Sequence, residues 1–92
     1  MGQRLLWNPE KEEWLKSTRN LSFTMVEEAI DRNVPIIDIR HPSAERSHQR
    51  MLIFKVGSRA CVVPYVMDGE TRFLKTMYYD RDWTRNFGED HG

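Results

Sequence analysis

Residues 51–78, MLIFKVGSRACVVPYVMDGETRFLKTMY, decide the fold of this chain. Three apolar runs are separated by the dipeptides Gly57-Ser58 and Asp68-Gly69, and both dipeptides are typical of β-hairpin turns. The stretch therefore predicts an antiparallel sheet of three consecutive strands.

The register of this sheet follows if each turn is symmetric about its glycine-containing dipeptide. The predicted cross-strand pairs are Leu52–Val63, Phe54–Cys61, Val63–Leu74 and Tyr65–Arg72. This register places Arg50, Tyr65 and Arg72 in one row at an end of the sheet. A shift of one residue would exchange the two faces of a strand, so the assignment of faces depends on these pairs.

Pro64 constrains the turns because it has no N–H to give to a neighbouring strand. The pattern predicts that Pro64 faces the first of the three strands, opposite Met51. That orientation requires a tight Asp68-Gly69 turn and a Gly57-Ser58 turn wider than two residues.

Both faces of the predicted sheet are apolar. The first face carries Leu52, Phe54, Cys61, Val63 and Leu74, and the second carries Ile53, Val62, Val66, Phe73 and Met77 with Lys55 and Lys75 among them. Two good helices can cover one face only. The other is a candidate partner surface, unless the first strand and the C-terminal segment cover it.

The N-terminal half predicts a short strand over residues 4–7 and two helices. Asn8-Pro9 is a helix start, with Asn as the N-cap, and Asn20 is its expected end. Ser22 is the expected N-cap of the second helix, which should end at Asn33. The remaining predicted elements are a strand over residues 36–40, a polar connection over 42–50 and a short terminal helix over about 80–86. The predicted fold class is α+β, with an antiparallel sheet of about four strands after the helices.

Length and composition favour one globular domain. The chain has 92 residues, of which 39% are hydrophobic and 30% charged, and residues 88–92 are predicted to form a disordered tail. No apolar stretch has the length of a membrane span or of a signal peptide core. The single cysteine, Cys61, is expected to be a core residue, and its isolation favours the reducing cytoplasm.

Charge is unevenly distributed along the chain, although the formal net charge is zero. Residues 40–59 carry five bases and one acid, whereas each flanking segment has a net charge of −2. The basic segment is either a contact for nucleic acid or a solvated loop between acidic helices.

No metal or cofactor site is expected from the sequence. His41 and His48 lie seven residues apart in a loop without a cysteine, and no glycine-rich phosphate loop is present. Trp7 and Trp14 are expected to lie in the core. The aromatic residues near the end of the sheet could be either core or base-stacking residues: Tyr78, Tyr79 and Trp83.

Basic, histidine and tyrosine side chains without a metal favour chemistry on a phosphodiester. Cleavage of RNA through its own 2′-OH needs a base, an acid and cations that stabilise the developing charge. The residues that could supply these roles are His41, Arg46, Arg50, Tyr65, Lys75, Tyr79 and Arg81.

Two motifs resemble those of BrnT-type toxins, which belong to the RelE-like group. Residues 7–11, WNPEK, resemble the opening W-[DN]-P-x-K, and Ser22-Phe23 followed by residues 27–29, EEA, resembles the segment S-F-x-E-A. The order of elements also agrees. Residues 18–20, TRN, stand where the family commonly has Lys-His-Gly.

The resemblance implies a cytoplasmic, metal-independent endoribonuclease that inhibits translation and is neutralised by a DNA-binding antitoxin. Its substrate would be RNA, free or on the ribosome, and no membrane partner is implied. Basic residues of the sheet and the terminal helix are associated with activity in the family, and Arg81 and Arg85 match the terminal ones. The candidate catalytic residues are His41, Arg50, Lys75, Tyr79 and Arg81, and the candidate RNA-binding residues are Arg19, Arg46, Lys55, Arg72 and Arg85. The alternative is a non-catalytic protein-interaction module on the same fold.

Overall fold

The chain forms an α+β fold in the predicted order of strand, two helices, sheet and terminal helix. A computed structural model describes residues 4–46 and 48–90, the last four of these by their backbone alone. The elements are β1 (Arg4–Trp7), α1 (Pro9–Arg19), α2 (Thr24–Asp31), β2 (Ile37–Arg40), β3 (Arg50–Val56), β4 (Arg59–Asp68), β5 (Thr71–Leu74), β6 (Tyr78–Asp80) and α3 (Arg81–Asp90). Helix α3 thus continues beyond residue 86, and residues 91–92 of the predicted tail lie outside the described part.

All described strands belong to one sheet with the order β1-β5-β4-β3-β2, and β6 pairs with β4 beyond the end of β5. Strands β2 to β5 are antiparallel, as predicted. The first strand, β1, joins the sheet parallel to β5. Strands β1 and β2 therefore form the two edges, and β4 lies near the centre.

The hairpin of β3 and β4 has the predicted register. Leu52 pairs with Val63, and the ladder continues to Val56 and Arg59 on either side of Gly57-Ser58. The prediction of a wider Gly57-Ser58 turn is therefore wrong. Gly57 has φ 65°, which matches the first loop position of a two-residue type II′ turn.

The hairpin of β4 and β5 differs from its predicted register by two residues. Tyr65 pairs with Leu74 and Asp68 with Thr71, so the predicted Val63–Leu74 and Tyr65–Arg72 pairs are wrong. The loop is Gly69-Glu70, and Gly69 has φ 63°. A type I′ turn at Asp68-Gly69 would need positive φ at both residues. A type II′ turn at Gly69-Glu70 needs positive φ at Gly69 only.

Pro64 lies opposite Met51 as predicted, but its backbone is directed toward β5. The Lys75 N–H donates to the Pro64 carbonyl at 2.8 Å, just after β5 ends. Because Pro64 has no N–H to return, the ladder stops there. It resumes where Tyr78 of β6 pairs with Val62.

Each face of the sheet has its own core. Helices α1 and α2 cover the first face, where Leu15, Phe23 and Val26 meet the strand residues Leu52, Phe54, Cys61, Val63, Tyr65 and Leu74. Met77 also lies in this core, so its predicted place on the second face is wrong. Residues 75–77 separate β5 from β6, so the alternation of side chains between the two faces does not continue from β5 to Met77.

Helix α3 covers much of the second face. Met51, Ile53, Ala60 and Val62 form its buried core, with Trp83 of α3 packed against them. The C-terminal segment therefore covers the face of the sheet that α1 and α2 leave uncovered.

The predicted ends of the first two helices are largely confirmed. The Asn8 side chain accepts the Glu10 N–H at 2.7 Å, and Asn20 ends α1 in the left-handed conformation with φ 57°. Helix α2 begins one residue later than a Ser22 cap would predict, with Phe23 at the N-cap position. Past its end, Asn33 has φ 57°, as expected of a stop residue.

The two N-terminal tryptophans differ in their environments. Trp7 stacks on Phe23 with 5.5 Å between ring centroids and lies at the border of the first core. Trp14 is 41% exposed, so the expectation that it lies in the core is wrong. The Lys11 ammonium and the Arg19 guanidinium instead lie over its ring, at 4.3 and 4.7 Å from the centroid.

Within the described residues, no helix is long and apolar enough to span a membrane.

Candidate functional site

A pocket of about 300 Å³ lies where α3 begins. We call it the α3 pocket, and it is lined by Arg59, Tyr79, Asp80, Arg81 and Thr84. Two of these residues, Tyr79 and Arg81, are among the predicted catalytic residues.

Local hydrogen bonds hold the first turn of α3 against the sheet. The Asp80 carboxylate accepts the Trp83 N–H at 2.9 Å, which satisfies one of the unpaired donors at the helix start. The Thr84 hydroxyl donates to the Asp80 carbonyl at 2.7 Å and accepts the Ala60 N–H at 2.8 Å. Helix α3 is thereby joined to β4 beside the pocket.

Two arginines line the pocket together with Tyr79. The Arg59 guanidinium lies over the Tyr79 ring, 3.6 Å from its centroid, and Arg81 is exposed at the first position of α3. Neither arginine forms an ion pair with another described residue. Their charges are therefore available to an anion, and guanidinium groups match phosphate oxygens in a two-point geometry.

A second group of polar residues lies on the first face, at the opposite end of the sheet. We call it the Asp38 cluster, and it consists of Asp38, Arg50, Tyr65 and Arg72. The Tyr65 hydroxyl donates to the two Asp38 carboxylate oxygens at 2.7 and 2.9 Å. The Arg50 Nε and the Arg72 Nη2 lie 3.1 and 3.2 Å from the same carboxylate.

The fold raises the pKa of two members of this cluster, Tyr65 and Arg50. Burial raises the pKa of Tyr65, which is 1% exposed, and the hydrogen bond to Asp38 raises that pKa further. Hydrogen bonds to Tyr65 and to Asp38 raise the pKa of Arg50. Near neutral pH, Tyr65 is thus a hydroxyl donor and Arg50 a cation.

The remaining predicted catalytic residues do not join either group. The His41 Nδ1 accepts the Ser43 N–H at 3.1 Å, within the loop that follows β2. The Lys75 ammonium lies over the Phe73 ring, 5.3 Å from its centroid. The structure brings Tyr79 together with Arg81 in the α3 pocket and Arg50 together with Arg72 in the Asp38 cluster.

The two groups are well separated along the sheet. Tyr79 pairs with Cys61, which lies four residues along β4 from Tyr65. That separation corresponds to about 13 Å of strand. A single scissile phosphate cannot touch both groups at once.

The other predicted RNA-binding residues are dispersed. Arg19 donates to the Met77 carbonyl at 2.6 Å, and Arg85 lies 3.7 Å from Asp82 on the exposed side of α3. Arg46 and Lys55 are exposed on the short helical turn of residues 44–46 and on β3, away from the hydrogen bonds of both groups.

Four residues of these groups were missed in the sequence: Asp38, Arg59, Asp80 and Thr84. Asp38 was not singled out, because strand alternation shows which residues share a face but not what covers that face. The sequence signal that could have identified it is that Asp38 is the one acidic residue of the predicted strand over residues 36–40, which precedes the row of Arg50, Tyr65 and Arg72. Arg59 lies in the basic segment of residues 40–59 and had no local motif to single it out.

The three aromatic residues near the end of the sheet have different environments. Tyr78 and Trp83 belong to the core of the second face, and burial raises the pKa of Tyr78. Tyr79 packs against the first core and forms one wall of the α3 pocket. In the part of the chain that the structure describes, no three side chains of the types that bind metals gather into a metal site.

Comparison with known proteins adds no relative. No family model matches the chain, and neither the curated proteins nor the solved structures contain a match to it.

Proposed function

We propose that this protein is an RNA-cleaving toxin of the RelE-like group, of the BrnT type, and that the α3 pocket is its active site. One observation carries the proposal: Arg59 and Arg81 line the same pocket as Tyr79, and both arginines lack an ion-pair partner among the described residues. The motifs at residues 7–11 and 22–29, and the observed order of elements, support the same class.

The pocket contains the groups that metal-independent RNA cleavage requires. Arg59 and Arg81 would hold the scissile phosphate and stabilise the charge of the pentacoordinate state. The 2′-oxygen attacks phosphorus and its proton passes to the Asp80 oxygen that does not cap α3. The P–O5′ bond breaks and Tyr79 donates a proton to the leaving oxygen, which leaves a 2′,3′-cyclic phosphate and a 5′-hydroxyl.

The test is expression of the chain in bacteria, with RNA cleavage by the purified protein measured in parallel. We expect growth arrest from the natural chain and its relief by Tyr79→Phe or Arg81→Ala. Loss of a proton-transfer group lowers a rate by about 10²–10⁴-fold. Arg4→Ala is the matched control, since it removes an exposed positive charge on β1, on a strand that does not line the pocket. Full toxicity in both pocket variants would contradict the site.

A non-catalytic interaction module is the second candidate, and the dispersal of the predicted catalytic residues favours it. His41, Arg50 and Lys75 lie outside the α3 pocket. A module would leave RNA intact over a range of pH and would not slow growth on expression. Either cleavage or growth arrest excludes this candidate.

The proposed setting is the cytoplasm, with a DNA-binding antitoxin as the partner. The hydrophobic side chain of Leu6 on the edge strand β1 is 53% exposed and offers an apolar contact. Co-expression with the product of an adjacent gene tests this part. We expect a stable complex and normal growth, whereas growth arrest that persists beside a co-expressed neighbour would contradict that pairing.

A further inference from the structure

The donors of the Asp38 cluster are those of an anion-binding site, and the Asp38 carboxylate occupies the position of the anion. Two guanidinium groups and one phenol hydroxyl converge on a single carboxylate, at distances of 2.7 to 3.2 Å. Arg50 Nη2 also donates to the Asp38 carbonyl at 3.3 Å.

Asp38 does not use all the donors that surround it. The Arg72 Nε is buried and has no acceptor among the described residues. A buried donor without an acceptor is costly, so such an atom calls for an explanation. The two carboxylate oxygens lie in one plane, whereas the oxygens of a phosphate group point to the corners of a tetrahedron and can reach a donor outside that plane.

The carboxylate lies at the exposed border of the cluster. Asp38 lies on the edge strand β2, and 31% of its side chain is exposed. Tyr65 lies on the central strand β4 and is 1% exposed, and the Arg72 side chain is 20% exposed. Tyr65 and Arg72 are therefore held by packing. Asp38 and Arg50, whose side chain is 40% exposed, lie at the border with solvent, where Asp38 can turn away from the cluster.

We propose that the Asp38 cluster is a phosphate-binding site that Asp38 occupies in the resting protein, so that Arg50, Tyr65 and Arg72 bind a phosphate group when Asp38 is displaced. The site is separate from the α3 pocket and does not depend on the proposed cleavage reaction. The ligand is a phosphate, supplied either by an RNA backbone or by a small phosphorylated molecule.

Titration of the full chain with inorganic phosphate, followed by calorimetry and by the NMR signal of the Arg72 Nε–H, tests the site. We expect Asp38→Asn to tighten phosphate binding by about tenfold or more, because a like charge within a few ångströms of the ligand is removed. Asp31→Asn removes an equal charge at the exposed end of α2 and should leave phosphate binding unchanged. Adding Arg50→Ala to Asp38→Asn should abolish the gain. Equal binding by the two Asp→Asn variants would overturn the proposal.

A second comparison applies if Asp38→Asn does not fold. Arg50→Gln in the natural chain should weaken phosphate binding about threefold or more, whereas Arg4→Gln should not. Equal binding by these two variants also overturns the proposal. A short oligoribonucleotide without terminal phosphates then identifies the source. Competition with phosphate assigns the site to the RNA backbone, and its absence assigns the site to a small phosphorylated ligand; both results support a phosphate site.

Discussion

Glu12 links the two N-terminal helices through its carboxylate. It is 7% exposed, accepts the Phe23 N–H at 2.8 Å and accepts the Ser22 hydroxyl at 2.7 Å. A residue of α1 thus satisfies a donor at the start of α2, where the N-cap residue itself makes no side-chain hydrogen bond. Removal of the carboxylate would leave a buried N–H without an acceptor.

We therefore expect Glu12→Ala to lower the free energy of unfolding by about 1–3 kcal/mol. Glu12→Gln keeps an acceptor and should cost less. Glu13→Ala is the control, since its side chain is 78% exposed on the same helix. Urea denaturation measures all three variants, and an equal loss in Glu12→Ala and Glu13→Ala would contradict the role of Glu12.

Cys61 is a core residue, as the sequence predicted. Its side chain is fully buried in the first core, and burial raises the pKa of its thiol to about 12. Because the thiolate is the reactive form, we expect no alkylation by iodoacetamide at pH 8 in the folded protein and rapid alkylation in urea. Rapid reaction of the folded chain would contradict the burial of Cys61.

The same thiol makes stability depend on pH. Above pH 9.0, the ordinary pKa of the group, the unfolded chain loses the thiol proton while the folded chain keeps it up to about pH 12. The unfolded state therefore binds fewer protons, and stability falls as the pH rises through this range, by up to about 1.4 kcal/mol per pH unit. Urea denaturation at pH 8 and pH 10.5 measures the loss. Cys61→Ala should remove this component, and an unchanged pH dependence in that variant would contradict it.

At the scale of elements, the β4–β5 hairpin depends on Gly69. Its φ of 63° is strained for any residue with a side chain. We expect Gly69→Ala to destabilise the protein by about 1–2 kcal/mol. Asp68→Ala should change stability by less than about 0.5 kcal/mol, because residue 68 ends β4 and does not occupy a loop position with positive φ. Thermal denaturation compares the two variants, and a larger effect at Asp68 would favour an Asp68-Gly69 turn.

Over the whole molecule, α3 separates the second core from solvent. Met51, Ile53, Ala60 and Val62 are buried beneath it, and the half-buried Trp83 of α3 packs against them. We expect Trp83→Ala to destabilise the protein by about 2–3 kcal/mol, less than the about 3–5 kcal/mol typical of a fully buried aromatic residue, because Trp83 is half-buried. Removal of residues 81–92 should expose an apolar surface that binds hydrophobic dyes and promotes self-association. Arg85→Ala, on the exposed side of α3, is the control. A monomeric truncated chain that binds no dye would show that α3 is dispensable as a cover.

The sequence by itself determined the features that depend on neighbouring residues. Asn8 and Asn20 delimit α1, and the pairing of Leu52 with Val63 follows from a turn centred on Gly57-Ser58 and the alternation around it. These features depend on local backbone chemistry, which a short stretch of sequence contains.

Only the tertiary structure decided the features that join distant segments. The β5 strand is shifted by two residues because the turn is formed by Gly69-Glu70 and not by Asp68-Gly69. The contact of Asp38 with Tyr65 and Arg72 joins residues 27 and 34 positions apart. Strand alternation could place each residue on a face, but only the packing of three helices shows which face each helix covers. The stretch of residues 51–78 thus determined the sheet, and the packing around that sheet decided where its charged residues meet.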